Sequence, residues 1–153
     1  MKARLMAVGR AGQRPEAALF AAWNRRLRPP LELVELPEGR GSPGEIRARE
    51  AAAILAALPE RALVVALDPA GISPDTEGLA RLIEGWRAAG RPLVFVIGGA
   101  EGLDPSVLAR AEVRLSLGPL TWPHLLVRAM LVDQLYRAQC LRQGHPYHRG
   151  GRG

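Results

Sequence analysis

Five short apolar runs recur along the chain, and the stretches between them carry helical spacing. The runs are residues 3–8 ("ARLMAV"), 31–36 ("LELVEL"), 62–67 ("ALVVAL"), 93–98 ("LVFVIG") and 113–117 ("VRLSL"). Their length and aliphatic content predict strands. The third and fourth are almost unbroken in hydrophobicity, as strands are when helices cover both faces of a sheet. Leu19, Phe20, Trp23 and Leu27 share one helical face behind Pro15, a residue suited to a first turn. Residues 44–58 predict an alanine-rich helix with a Glu45–Arg49 pair one turn apart. Leu79, Leu82, Ile83 and Trp86 define a third helix, with Asp75 or Thr76 as its cap and Gly90 as its stop. Asp104-Pro105 opens a short fourth. Strand–helix alternation predicts an α/β fold, a mostly parallel sheet with flanking helices.

The last helix, residues 124–142, breaks the amphipathic pattern. Leu125, Val127, Met130, Leu131, Leu135, Tyr136 and Cys140 spread over more than one face. Such a helix is buried on several sides. In a chain of 153 residues one covering surface is the sheet, and a second subunit is the expected other. The length predicts a single domain, 1–153, with a C-terminal tail from about 144.

Composition narrows the picture. Hydrophobic residues make up 48%, enough for a packed core, and no run of about 18 apolar residues predicts a membrane span. The opening "MKARLMAVGRAG" is too short in apolar character for a signal peptide. A lone cysteine, Cys140, with apolar neighbours predicts a reduced, cytoplasmic protein. The formal charge is +6, carried almost wholly by arginine. No acidic residue follows Asp133, while Arg137, Arg142, Arg149 and Arg152 do, with His145 and His148. A basic end of this kind neutralises phosphates.

Three segments lie just past strands: "VALDPAG" (Val65 to Gly71), "VIGGAEGL" (Val96 to Leu103) and "LSLGPLTW" (Leu115 to Trp122). Open α/β sheets bind ligands at this edge, and glycines let a backbone approach closely. The third segment is stiff and apolar, as expected of a wall around something flat. The GGxxG spacing is not a dinucleotide fingerprint, and the sequence contains neither GxxxxGK[ST] nor GxSxG. No metal site is expected, because His145 and His148 flank Pro146 with few carboxylates nearby. His124 opens a helix, where the dipole favours the neutral ring.

With these residues in view, the chain resembles the RlmH family, the ribosomal RNA large subunit methyltransferase H family of the SPOUT class. "FVIGGAEGL", "LSLGPLTWPHLLVRAMLVDQLYRA" and "GHPYHR", in that order, carry the resemblance, which extends over essentially the whole chain. The resemblance implies a C-terminal trefoil knot, a homodimer, and methyl transfer from S-adenosyl-L-methionine to N-3 of a pseudouridine in 23S ribosomal RNA, with the assembled ribosome as the expected setting. It places cofactor contacts on Leu67, Gly98, Leu117, Gly118, Pro119, Leu120, Thr121 and Trp122. Similar sequences typically carry serine where this chain has Gly118. The imide proton requires a base or a stabiliser of the anionic ring. Candidates are His124 and His148, with Arg128 or Arg149 holding charge or phosphate. Tyr147 and Arg149 are candidate RNA contacts, one by stacking and one by charge. The alternative is a non-catalytic RNA-binding or ribosome-associated protein on the same fold, distinguished by failure to bind the cofactor.

Overall fold

The computed structural model describes residues 2–144. Five strands, β1 (Arg4–Val8), β2 (Glu32–Leu36), β3 (Leu63–Ile72), β4 (Leu93–Ile97) and β5 (Val113–Leu115), form one sheet in the order β2-β1-β4-β3-β5. Every neighbouring pair is parallel. Between them run α1 (Pro15–Asn24), α2 (Pro43–Ala57), α3 (Thr76–Ala88) and α4 (Pro105–Arg110), and α5 (His124–Gln143) follows β5.

The period-two alternation of the strands sorts the core into two layers. Leu5, Ala7, Val65 and Phe95 face α1, α3 and α5, with Phe20, Leu79, Trp86, Leu131 and Leu135 packed on them. Met6, Val8, Val64, Val94 and Val96 face α2 and α4, against Ala51, Ile54 and Val107. Trp86 meets Phe95 edge to face at 6.1 Å. Burial of a side chain such as Leu131 or Val132 contributes roughly 1.5–3 kcal/mol.

Helix starts follow local chemistry. Ser42 and Glu45 form a reciprocal capping box on α2. Asp75 accepts the Gly78 N–H ahead of α3, and Asp104 accepts the Ser106 N–H ahead of α4. Gly144, at φ 72°, closes α5 in the left-handed conformation.

Two expectations are corrected. First, β3 does not stop at Leu67. It runs to Ile72, and both Leu67 and Ile72 oppose Leu115, so residues 68–71 bulge from the edge. A side chain at Gly71 would run into the Arg114 carbonyl, and glycine alone lets the returning strand lie so close. Second, β5 ends at Leu115, two residues early. The Ser116 N–H still bonds the Ile72 carbonyl at 2.8 Å, but Gly118 at φ 109° then turns the chain. Within the chain, α1, α3 and the sheet cover much of α5. Leu126, Met130 and Leu141 of the same helix remain only partly buried.

Candidate functional site

A cleft of about 710 Å³ opens at the carboxyl edge of β3, β4 and β5. Its position follows from the chain's path. The helices after β3 and β5 lie on one face of the sheet and α4, after β4, lies on the other. Chains that part in opposite directions leave a crevice beyond the strand ends.

The cleft brings the three predicted segments together. Leu67 and Asp68 come from β3, Gly98 to Leu103 from the turn after β4, and Leu115, Leu117, Gly118, Leu120, Thr121 and Trp122 from the segment after β5. His124 and Val127 of α5 complete it. Of the predicted cofactor residues, Pro119 alone is not on the wall; it belongs to the turn that presents its neighbours. Leu120 and Trp122 remain 67% and 40% exposed, a large apolar surface gathered at one opening. Such a surface marks a binding site more often than a solvated loop. Gly118 sits at φ 109°, so a serine at this position would be strained in this conformation.

Gly98 has a different reason to be glycine from the one its position suggests. A side chain there would stand 2.9 Å from both the carbonyl carbon and oxygen of Gly102, and 3.0 Å from Leu103 Cδ2. The turn folds back on itself, and the Gly102 N–H closes it on the Gly99 carbonyl at 3.1 Å. Gly98 therefore shapes the wall from within.

Ser116 holds two of the segments together, although its sequence context, a serine in an apolar strand end, gave no indication of a role. It is buried, and its hydroxyl lies 3.0 Å from the carbonyls of Pro69 and Gly118 and accepts the Gly118 N–H at 3.0 Å. A hydroxyl has one proton, so it donates to one carbonyl at a time. The bulge of β3 and the turn after β5 thus share one anchor.

His124 lies at the end of the cleft nearest β1. A side chain built on Gly9, at φ 98°, would lie 3.0 Å from Glu38 Oε1 and 3.6 Å from His124 Nε2. The imidazole and this carboxylate therefore converge on the same spot.

Arg128, a candidate for holding charge or phosphate, is placed elsewhere. Its side chain is 1% exposed and pairs through Nη1 with Glu35 Oε2 at 2.6 Å. Nη2 donates to the carbonyls of Gly9 at 2.8 Å and Val8 at 3.3 Å. Burial alone would raise the Glu35 carboxyl's pKa; the hydrogen bonds from Arg128 and the Ala11 N–H outweigh it and hold the group below its ordinary value. Three of its contacts are thus made to Glu35, Gly9 and Val8, and its Nε is buried without a partner among the described residues. In the structure Arg128 braces α5 against β2 and the end of β1. His148, Tyr147 and Arg149 lie outside the described residues.

A family model described as a predicted SPOUT methyltransferase matches residues 1–148. The chain belongs to the SPOUT methyltransferase family. A ribosomal RNA large subunit methyltransferase H from Gluconacetobacter diazotrophicus is 56% identical over 149 residues, covering 97% of this chain and 98% of that protein. Proteins of the same name from Rhodospirillum rubrum and Stenotrophomonas maltophilia are 50% and 46% identical, each covering 97% of this chain and 99% of the relative. Two solved structures share the SPOUT fold. A probable methylase family protein from Haemophilus influenzae matches with a TM-score of 0.56 at 13% identity, over 95% of this chain and 68% of that one. A probable methyltransferase from Bordetella pertussis matches with a TM-score of 0.55 at 15% identity, over 90% and 93%. Within this SPOUT chain, the cleft collects every predicted cofactor residue except Pro119.

Proposed function

We propose that this chain is an S-adenosyl-L-methionine-dependent methyltransferase that modifies N-3 of a pseudouridine in 23S ribosomal RNA, working as a homodimer on the ribosome in the cytoplasm. The observation that carries the reading is the cleft: one apolar, glycine-lined concavity at the carboxyl edge of a parallel sheet, in a chain of the SPOUT family. Its volume falls in the range that encloses a cofactor-sized ligand. Relatives named as ribosomal RNA large subunit methyltransferase H supply the substrate class. The trefoil knot and the dimer belong to the same reading through the resemblance. The buried thiol of Cys140 suits a reducing compartment.

The residues present fit the cofactor. Leu117, Leu120 and Trp122 offer flat apolar surface for an adenine, and Asp68 and Glu101 offer carboxylates for hydroxyl or amino groups. When bound, the cofactor supplies a sulfonium methyl that is electrophilic without further activation. What is asked of the protein is alignment, exclusion of water and management of one proton. His124 is the described residue suited to the proton. His148, with Tyr147 and Arg149 as RNA contacts, is the alternative from the tail. The test is calorimetric titration with S-adenosyl-L-methionine, then methylation of ribosomes from a strain lacking the enzyme, mapped by mass spectrometry. Cofactor heat with a new methyl at the pseudouridine is the expected result. Absence of cofactor binding would return the chain to a non-catalytic RNA-binding role.

A further inference from the structure

Helix α2 carries one carboxylate into the core. Glu50 is 4% exposed. Its Oε2 accepts the Gly39 N–H at 2.9 Å, and its Oε1 has no hydrogen-bond partner among the described residues. A side chain built on Gly99 would stand 3.3 Å from Oε1, 3.4 Å from Oε2 and 3.1 Å from Val8 Cγ1. The carboxylate therefore lies directly beneath the glycine turn that walls the cleft.

Burying a carboxylate oxygen without a partner is unfavourable by several kcal/mol. An apolar residue would extend the layer already formed by Val8, Ala51 and Ile54. The charge instead sits at the position where α2 meets the turn. Gly39 is seated on the same helix: a side chain there would stand 2.7 Å from the Ile46 carbonyl, one turn before Glu50. One carboxylate thus touches two loops, the one that follows β2 and the one that follows β4.

We propose that Glu50 is a positioning residue for the cofactor turn. Its Oε2 keeps the Gly39 N–H, and its Oε1 accepts a backbone N–H of the Gly99–Ala100 segment when the turn closes on bound cofactor. The role needs two acceptor oxygens. Glutamine has the same shape but turns one of them into a donor, which faces the turn's N–H groups with the wrong polarity. Glu50 does not line the cleft and acts only through the turn. The inference rests on the reading of the cleft as the S-adenosyl-L-methionine site.

The test compares wild type with Glu50→Gln and Glu50→Met in the full chain. Glu50→Gln should melt at or above the wild-type temperature, because a buried charge is removed while an amide oxygen still accepts the Gly39 N–H; Glu50→Met, which leaves that N–H unpaired, should melt below Glu50→Gln. Both should bind S-adenosyl-L-methionine about tenfold more weakly, the loss expected from one hydrogen bond to a charged group. KM for the cofactor should rise while kcat at saturation stays within about twofold. Hydrogen exchange supplies a readout independent of turnover: the Gly99 and Ala100 amides should gain protection with cofactor in wild type and not in Glu50→Gln. Wild-type binding with unaltered affinity in both variants would overturn this assignment alone. Variants that fail to fold would make Glu50 a structural residue and overturn it as well. Absence of binding by wild type would overturn the cofactor reading and the assignment together.

Discussion

Replacing Arg128 with alanine should unfold the protein earlier rather than disable a folded enzyme. The substitution removes a 2.6 Å ion pair to Glu35 and two donors, to the Gly9 carbonyl at 2.8 Å and the Val8 carbonyl at 3.3 Å. It also empties the space of one of the largest fully buried side chains. Breaking a buried pair from one side costs about 3–5 kcal/mol. Glu35 is 29% exposed, so water compensates part of its loss and the lower end applies, roughly 3 kcal/mol. At about 2–4 °C per kcal/mol for a chain of this size, melting should fall by roughly 6–12 °C. Arg128→Met keeps much of the volume and isolates the lost donors. In the Arg128→Met, Glu35→Gln double variant, part of the loss should be recovered, since no unpaired carboxylate remains. The assay is thermal unfolding beside cofactor calorimetry and methyl transfer, all at a temperature where every variant is folded. An Arg128→Ala protein that melts with wild type and binds cofactor, yet transfers no methyl, would refute the argument and return Arg128 to the reacting groups.

Gly98→Val should open the turn by pressing on the Gly102 carbonyl, lowering both stability, by about 1–3 kcal/mol, and cofactor affinity; unchanged calorimetry in a folded variant would remove the turn from the site. Glu35 has its carboxyl pKa depressed in the folded chain from the ordinary 4.5, so the stability it contributes is complete above that pH and is lost as pH falls through the lowered value. Acid titration of melting should show this loss, and Glu35→Gln should remove that part of it. Deleting residues 145–153 should leave folding and most cofactor affinity while abolishing most methyl transfer to ribosomes. Within that tail, His148→Ala should lower turnover, and Arg149→Ala should weaken RNA binding and reduce its salt dependence.

The strands and helices were legible because their signals are local. Val64 and Val96 announce a doubly covered sheet by hydrophobicity alone, and Asp75, Asp104 and Gly144 mark helix ends by side-chain chemistry. The three segments of the cleft were legible for a topological reason, since each follows a parallel strand and all three must emerge at one edge. The bulge of β3 was not. Pro69 and Gly71 signal a turn, and only the pairing of Ile72 with Leu115, more than forty positions away, converts the turn into a detour within a strand. The setting of Arg128 was hidden for a related reason. In sequence it stands one turn after His124, on a helix that begins at the cleft. Its surroundings are set by Glu35 on β2, a contact between residues 93 positions apart that no local pattern encodes.

The two buried charges that sequence did not explain have a common geometry. Arg128 approaches the end of β1 from the layer of α1, α3 and α5, and takes the carbonyls of Val8 and Gly9. Glu50 approaches from the layer of α2 and α4, and lies beside Val8 and Gly99. Val8 is the last residue of β1, the strand beside β4, and Gly99 follows the end of β4. Apolar packing fixes the middle of a sheet well, but it is poorly suited to fixing strand ends, where backbone groups leave the ladder and require partners. Arg128 meets that requirement with directional bonds to Val8 and Gly9, while Glu50 bonds the Gly39 N–H and lies beside Gly99. The two side chains thus flank the junction between the β1 end, where His124 and Glu38 converge, and the β4 turn that walls the cleft. For a transfer reaction whose catalysis is largely alignment, rigidity at this junction is the contribution that the scaffold makes.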